Sequence, residues 1–594
     1  MFIFVCLGPQ KADLMKFSPS AFITLTLSAL LFFGCSSDES ADLVLTNGKI
    51  VTVDPSLPEA EALAVKGDTI VAVGTAEEIA DHIGSQTLVV DLNGSLAVPG
   101  LIEGHGHFLG VGEAKMILDL TTAKSWEEIV AMVDSAATEA EQGEWITGRG
   151  WHQEKWDSIP PGSVEGVPTH HTLSAVSPDN PVLLRHASGH AGFANKAAMD
   201  AAGISPETPN PDGGELVRDL RGDLTGLLRE TAEGLVGAAR AKAREGMTRE
   251  ELEEELRTMA HLAAEEALTN GITSFHDAGV GFSTVDLFKE LADEGNLPVR
   301  LYVMIRSNST ELEEKLASYR MIGYGNNHLT VRSVKRSIDG ALGSHGAWLL
   351  EPYADMPNSR GLETTATDEV RATAEIAKAH NFQVNVHAIG DRANRVVLDL
   401  YESLYGNTDN DLRWRIEHAQ HIHPDDIPRF GSLGVIPSMQ GVHATSDAPW
   451  VFRRLGEERA QSGAYRWQTL WQTGAVVTNG TDAPVEDIDP IASYYSTVTR
   501  VLSDGSMFYP EERLSREQAL QSYTLNNAYA AFEEDIKGSL TPGKLADITV
   551  LSKDILTIPD EEILSTKVLY TIVGGVVKYE AITSSDSDEH ASSE

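Results

Sequence analysis

The residue types in this 594-residue chain that are suited to chemistry are its histidines and carboxylates, because it has only two cysteines, Cys6 and Cys35, both near the N-terminus. That pair can support neither a disulfide framework nor a thiolate metal site, so a metal must be held by His, Asp, Glu or a modified Lys. His105-Gly106-His107 closes an apolar run. In an extended chain residues i and i+2 face the same side. Both imidazoles can therefore converge on one divalent cation, with Gly106 leaving the space between them open. Lys335, His387, His418 and Asp482 follow, each on an apolar, strand-like run. A lone His-x-His is a weak signal, and a single histidine is more often a satisfied buried group. His421-Ile422-His423 stands directly before Pro424-Asp425-Asp426, which resembles a helix start, and reads as structural or solvated. Five positions converging in one place are much harder to produce by chance.

Convergence requires elements to carry these residues. The body of the chain alternates apolar strands with helical patterns, which predicts an α/β fold: a (β/α)8 TIM-like barrel, or a doubly wound sheet. Nine strand candidates occur, at 101–107, 181–186, 272–277, 299–305, 331–339, 382–388, 413–419, 434–440 and 475–482. A closed barrel needs eight. PVLLRH (181–186) is assigned to an insertion of roughly 120–265, whose charged helix 248–268 returns the chain to the barrel wall. The order then becomes His-x-His on strand one, Lys on four, His on five, His on six and Asp on eight. These lie at the C-terminal strand ends where barrel sites form. The stretches 42–98 and 540–582 are Val/Ile-rich with Asn-Gly and Gly-Asp turns, and predict a small β-sandwich built from both chain ends around a barrel of 99–539.

Composition narrows the partners. Hydrophobic residues make up 42% and charged residues 23%, a globular balance. The formal net charge of −42 repels phosphate backbones, which argues against nucleic-acid binding. Ser20 to Phe33 is an apolar run after Met15-Lys16, too short for a membrane span and of signal-peptide length. Gly34-Cys35-Ser36-Ser37 then resembles a bacterial lipobox, although Phe32 departs from the usual Leu. Residues 1–35 thus read as an export segment, either a lipoprotein signal anchoring the chain at Cys35 or an ordinary cleaved one, with 1–14 lying upstream of a later start. The expected location is periplasmic or membrane-anchored. The tail 583–594 is acidic and expected to be disordered. Self-association into a homo-oligomer is left open.

A set of longer motifs carries a family resemblance: AVPGLIEGHGHF (97–108), GITSFHDAG (271–279), VKRSIDGALGS (334–344), VHAIGDRA (386–393), RIEHAQ (415–420), NGTDAP (479–484) and PGKLADITVL (542–551). Together they resemble the amidohydrolase superfamily over about residues 42–580. GRGWHQEKW (148–156), PVLLRHASGHAGFANKAAM (181–199) and SMQGVHATSD (438–447) are similar to the YtcJ-like, amidohydrolase 3 type branch, near the N-substituted formamide deformylases. The resemblance implies a barrel with a β-sandwich and a one- or two-ion centre, usually zinc, held by His105, His107, Lys335, His387, His418 and Asp482. In two-ion relatives a lysine at the position of Lys335 is N-carboxylated and bridges the ions. Pairing with Asp339 is the alternative for Lys335. Many relatives have Asp where this chain has Glu103, which then either accepts from a ligand imidazole or is structural.

The implied reaction is hydrolysis of a non-peptide C–N bond in a small-molecule amide, such as an N-substituted formamide, by hydroxide that the metal generates near neutral pH. Asp482 is the catalytic candidate. It would take the proton of water and return it to the departing nitrogen, which needs it to leave; a helix N-cap is the other reading of this residue. Trp151, Trp156, His190, Gln440 and His443 fall in branch-type motifs and either line the substrate pocket or belong to the core. Ester or lactone hydrolysis on the same site, and a binding lipoprotein without catalysis, are the competing functions.

Overall fold

A computed structural model describes residues 40–405 and 411–582. The export segment with Cys35 and the acidic tail from 583 lie outside the described residues. Eight strands of the body pair side by side in chain order: β1 (Leu101–Gly106), β2 (Ile272–Val280), β3 (Arg300–Ile305), β4 (Leu329–Ser337), β5 (Gln383–Ala388), β6 (Arg415–His418), β7 (Ile436–Gln440) and β8 (Thr478–Gly480). Every pairing along this path is parallel. The result is the expected TIM-like barrel. Parallel strands are covered on both faces and so read as near-continuous apolar runs; all of β3 and β5 is buried. PVLLRH does not join the barrel.

The seam between β1 and β8 is spanned by a side chain. The Asn527 amide donates to Ile102 O at 2.7 Å and to Asn479 O at 2.8 Å, one carbonyl from each strand. The chain approaches so closely here that a Cβ on Gly104 would stand 2.3 Å from Asn479 O. Beyond the seam, Asp482 N donates to His105 O at 2.8 Å and His107 N to Ala483 O at 2.7 Å. The segments that follow the first and last barrel strands are thus joined backbone to backbone.

Between β1 and β2 the chain forms a six-stranded sheet that includes Ile146–Trp151, Val182–His186, Ala191–Ala194 and Leu224–Glu230. Its core packs Trp126, Trp151, Trp156 and Phe193. Helix α1 (Phe108–Ala114) leaves β1, and helix α2 (Arg249–Thr269) leads back into β2. A capping box of Thr248 and Glu251 starts α2, satisfying two otherwise free amide donors.

Both chain ends contribute to two further sheets. One orders the strands 69–74, 62–66, 43–46 and 88–91; the other orders 576–580, 568–573, 548–551, 96–99, 49–51 and 59–60. Leu45, Ile50, Val65, Ile70, Ile548, Val550 and Ile572 share one core between them. A buried ion pair ties this layer to the barrel. Arg300, at the start of β3, donates to both oxygens of Asp547, at 2.7 and 2.9 Å.

Candidate metal centre

The ends of β1, β6 and β8 bring three groups to one point. His105, His418 and Asp482 each offer a ligand atom, all within 4.8 Å of one another, and all three residues are buried. The backbone takes the left-handed region at His418 (φ +75°) and Asp482 (φ +59°). Residues with side chains adopt that region at a cost of about 1–3 kcal/mol, which is met where the surroundings demand it, often at functional sites.

Partners behind the ligands fix which nitrogen of each imidazole faces the centre. His105 Nδ1 bonds Glu417 Oε2, and Glu417 is held in turn by Arg415 Nη2 at 2.9 Å. Arg415 Nη2 also reaches Gly104 O and Ser438 Oγ, both at 2.7 Å. A carboxylate can only accept, so Nδ1 carries the proton and Nε2 presents its lone pair. On His418, Nδ1 lies 2.8 Å from Gln440 Oε1 and 3.9 Å from Asp482 Oδ2, while Gln440 Nε2 donates to Ser438 O at 3.2 Å; the Gln440 contact places the proton on Nδ1 and the lone pair on Nε2. Burial holds His418 well below the ordinary imidazole range and lowers His105 to about 4, so both are neutral donors at physiological pH. Burial disfavours charge on Asp482, but His107, His105 and His418 around it outweigh that and hold its carboxyl well below the usual range.

Two lone-pair-bearing atoms, His105 Nε2 and Asp482 Oδ1, therefore face each other at 3.6 Å. Asp482 Oδ1 is buried and lacks a hydrogen-bond partner among the described residues. Beside them stand His107 Nε2, 3.3 Å from Asp482 Oδ1, and Lys335 Nζ, 3.2 Å from His105 Nε2; with those two groups deprotonated, the crowded acceptors are the arrangement that a divalent cation satisfies. The donor set fits a metal.

The remaining residues flank this group. His107 lies one residue past β1, at the N-cap of α1, and its Nε2 stands 3.3 Å from Asp482 Oδ1. His387 stacks edge-on to His418 with ring centroids 4.5 Å apart, and its buried Nε2 lies 3.5 Å from Asp339 Oδ1. Neither belongs to the tight group of three. Lys335 Nζ lies 3.2 Å from His105 Nε2. Burial pushes this amine down to about 7, so a large neutral fraction exists near physiological pH.

Several roles differ from the sequence reading. Lys335 does not pair with Asp339. The Asp339 carboxylate accepts the backbone amides of Trp348, Ile389 and Gly390 at 2.8, 3.0 and 2.8 Å, pinning the loops after β4 and β5. Glu103 does not touch a ligand imidazole. It accepts Thr481 N at 2.7 Å and Thr481 Oγ1 at 3.0 Å, holding the segment that carries Asp482. The acceptor for His105 is Glu417, which the motif RIEHAQ contains but whose role only the closed barrel reveals, because β6 and β1 are not paired strands. Asp482 does not cap a helix; the next one begins at Pro490 with Asp489 as its cap. Trp151 does not line the cavity: it is buried in the insertion core and donates to Leu184 O at 2.9 Å. Gln440 orients His418 and is absent from the cavity wall. His421 is buried with both ring nitrogens unpartnered, and its ring meets Tyr465 edge-on.

Above the centre opens a cavity of about 510 Å³. His105, His107, Lys335, His387, His418 and Asp482 form its floor, and the insertion supplies a wall with Arg149, Arg185, His190, Glu230 and Glu233. His190 Nδ1 lies 2.7 Å from Glu230 Oε2. His443 lines a smaller adjoining pocket and receives a bond from Gln420 Nε2 at 2.9 Å.

A family model described as "Amidohydrolase family" matches residues 88–579. This chain belongs to the amidohydrolase family. Across its relatives, the amidohydrolase is 35% identical to the protein LONG AFTER FAR-RED 3 of Arabidopsis thaliana, over 91% of this chain and 92% of that one. It is 30% identical to the YtcJ protein of Bacillus subtilis (strain 168), named as an amidohydrolase, over 90% and 98%. It is 27% identical to an N-substituted formamide deformylase of Arthrobacter pascens, over 91% and 98%. Among solved structures it resembles a metal-dependent hydrolase from Pyrococcus horikoshii OT3 with a TM-score of 0.69 and 28% identity, covering 87% of this chain and 99% of that one. The amidohydrolase is thus a metal-dependent hydrolase of the branch to which the motifs point.

Proposed function

We propose that the chain hydrolyses a C–N bond, other than a peptide bond, in a small-molecule amide, with zinc as the resident metal. The observation that carries this reading is the grouping of His105, His418 and Asp482 on the floor of a cavity of about 510 Å³. The cavity falls within the ~300–1,000 Å³ usual for small-molecule sites. Similarity to a relative named as an N-substituted formamide deformylase favours formamides within that class.

His105, His418 and Asp482 would hold the ion, with His107 beside them. When bound, a divalent cation supplies Lewis acidity for the substrate carbonyl and a water nucleophile at neutral pH. The chain's own groups do the rest. Asp482 accepts the proton that water loses as its oxygen adds to the carbonyl carbon, and returns it to the nitrogen as the C–N bond breaks. Glu417 and Gln440 keep the imidazole lone pairs aimed at the centre, so no reorientation is needed during turnover. The insertion wall brings Arg185, His190, Glu230 and Glu233 up to the floor residues, where they can orient a substrate.

Lys335 would act as an N-carboxylate. As an ammonium it would donate to the very lone pair of His105 that must ligate metal, and no carboxylate pairs with it among the described residues. Reaction of the neutral amine with CO2, releasing one proton, turns this cation into an anionic oxygen donor, and with His387 it could complete a second ion's shell. The export reading is likewise proposed, with residues 1–35 as its signal.

The test is a hydrolysis panel of formamides, other N-acyl amines, carbamates and esters on zinc-loaded protein, with Asp482→Asn as control. The expected result is turnover of one amide class that the substitution abolishes. Turnover confined to esters, or surviving Asp482→Asn, would contradict the assignment.

A further inference from the structure

We propose that Arg306 is an anion anchor in this site, so that the amide turned over carries a carboxylate near its scissile bond. The proposal rests on the hydrolase reading above and names the substrate class within it.

Most charges on the cavity wall are already paired. Arg185 meets Glu233 at 2.7 Å, Arg240 meets Glu113 at 3.2 Å, and His190 meets Glu230 at 2.7 Å. Arg149 lacks a carboxylate, but Nε and Nη2 donate to Pro484 O and Ala187 O at 3.1 and 3.0 Å. Its guanidinium is largely spent joining the insertion to the loop after β8. Arg306 differs. It stands one residue past β3 and lines the cavity with its side chain accessible. Among the described residues its guanidinium has one side-chain partner, Ser337 Oγ at 2.6 Å, and no carboxylate pairs with it.

The stem of Arg306 is fixed against the floor. A Cβ built on Gly279, at the end of β2, would lie 3.3 Å from Arg306 Cβ and Cδ and 3.3 Å from Lys335 Cβ. The arginine therefore runs across Gly279 beside Lys335, and the positive φ of Gly279 (+129°) keeps that position bare. Ser337, two residues beyond Lys335 on β4, holds one edge of the fork. Among the described residues its other donors have no side-chain partner, and Arg306 lines the same cavity as His105, His418 and Asp482.

An accessible guanidinium beside Lys335 makes a locally positive patch on a wall whose other charges are mostly paired. A planar fork with free donors matches a carboxylate bidentately. The long-range field makes the same point. A chain of net charge −42 repels anions in general, so an anionic substrate needs a local cation to be retained.

The experiment compares N-formyl derivatives of glycine, glutamate and phenylalanine with their carboxamide counterparts, on zinc-loaded wild type, Arg306→Gln and Arg306→Lys. Calorimetric binding is measured as well as kcat/KM, and melting temperature reports folding. Wild type should prefer the carboxylate series. Arg306→Gln should cut that preference by roughly 10- to 100-fold, the worth of a charged hydrogen-bonded pair, and Arg306→Lys should restore part of it. Binding of the carboxylates that depends on Arg306, without turnover of any amide, would leave the anchor standing and remove the hydrolase reading. Hydrolysis of neutral amides with no preference for carboxylates, an equal loss for both series in Arg306→Gln, or no binding by any carboxylate would overturn the anchor.

Discussion

At the scale of single residues, the centre depends on side chains that never meet substrate. His105 is useful as a ligand only if its proton sits on Nδ1, and Glu417 enforces that, itself held by Arg415. Burial disfavours charge on Glu417, but Arg415 and His105 outweigh it and hold its carboxyl well below the usual range. Glu417→Gln keeps the shape but removes the charge and allows the amide to donate toward Nδ1. Zinc affinity should fall roughly 10- to 100-fold, the usual effect of losing such a partner, as measured by competition with a chromophoric chelator. Unchanged affinity would mean that Glu417 is only structural. Gln440→Leu should act in the same direction through His418.

At the scale of elements, much of the barrel was legible in the sequence. Its strands are buried on both faces, so β3 and β5 appear as unbroken apolar runs, and the order of His105, Lys335, His387, His418 and Asp482 follows from counting them. The chemistry beside the ligands was not legible. Glu417 and Glu103 are both acidic residues near a ligand histidine, and only closure of the barrel, which brings β6 opposite β1 without pairing them, decides which one meets the imidazole. Trp151 was left open between pocket and core for a similar reason: its motif resembles a branch signature, and only the insertion sheet shows that it belongs to the core. Trp151→Phe should therefore lower the melting temperature and leave KM unchanged; a raised KM would return Trp151 to the pocket. The seam makes a second prediction at this scale. Asn527→Ala strands two buried carbonyls, Ile102 O and Asn479 O, at about 1–3 kcal/mol each. Denaturant titration should show a loss of about 2–6 kcal/mol, with activity impaired because β1 and β8 carry His105 and lead to Asp482.

At the scale of the whole molecule, the barrel and the sandwich are coupled through Arg300 and Asp547. Burial disfavours charge on Asp547, but the ion pair with Arg300 outweighs it and lowers its pKa below 3.8. A depressed carboxylate contributes stability that is present above its unfolded value and lost as pH falls through its folded value. Asp547→Asn leaves a buried guanidinium without its counter-charge and should cost about 3–5 kcal/mol at neutral pH. The gap to wild type should narrow below pH 3.8, read from melting temperatures across an acid series. A gap independent of pH would exclude the ion pair as its source. Because the net charge is −42, added salt should raise the stability of both proteins by screening self-repulsion. The most direct measurement on the whole molecule is an anomalous-diffraction map at the zinc edge from crystals of zinc-loaded protein. The account predicts a peak bounded by His105 Nε2, His418 and Asp482; no peak there, or density only at the His421–His423 segment, would contradict it.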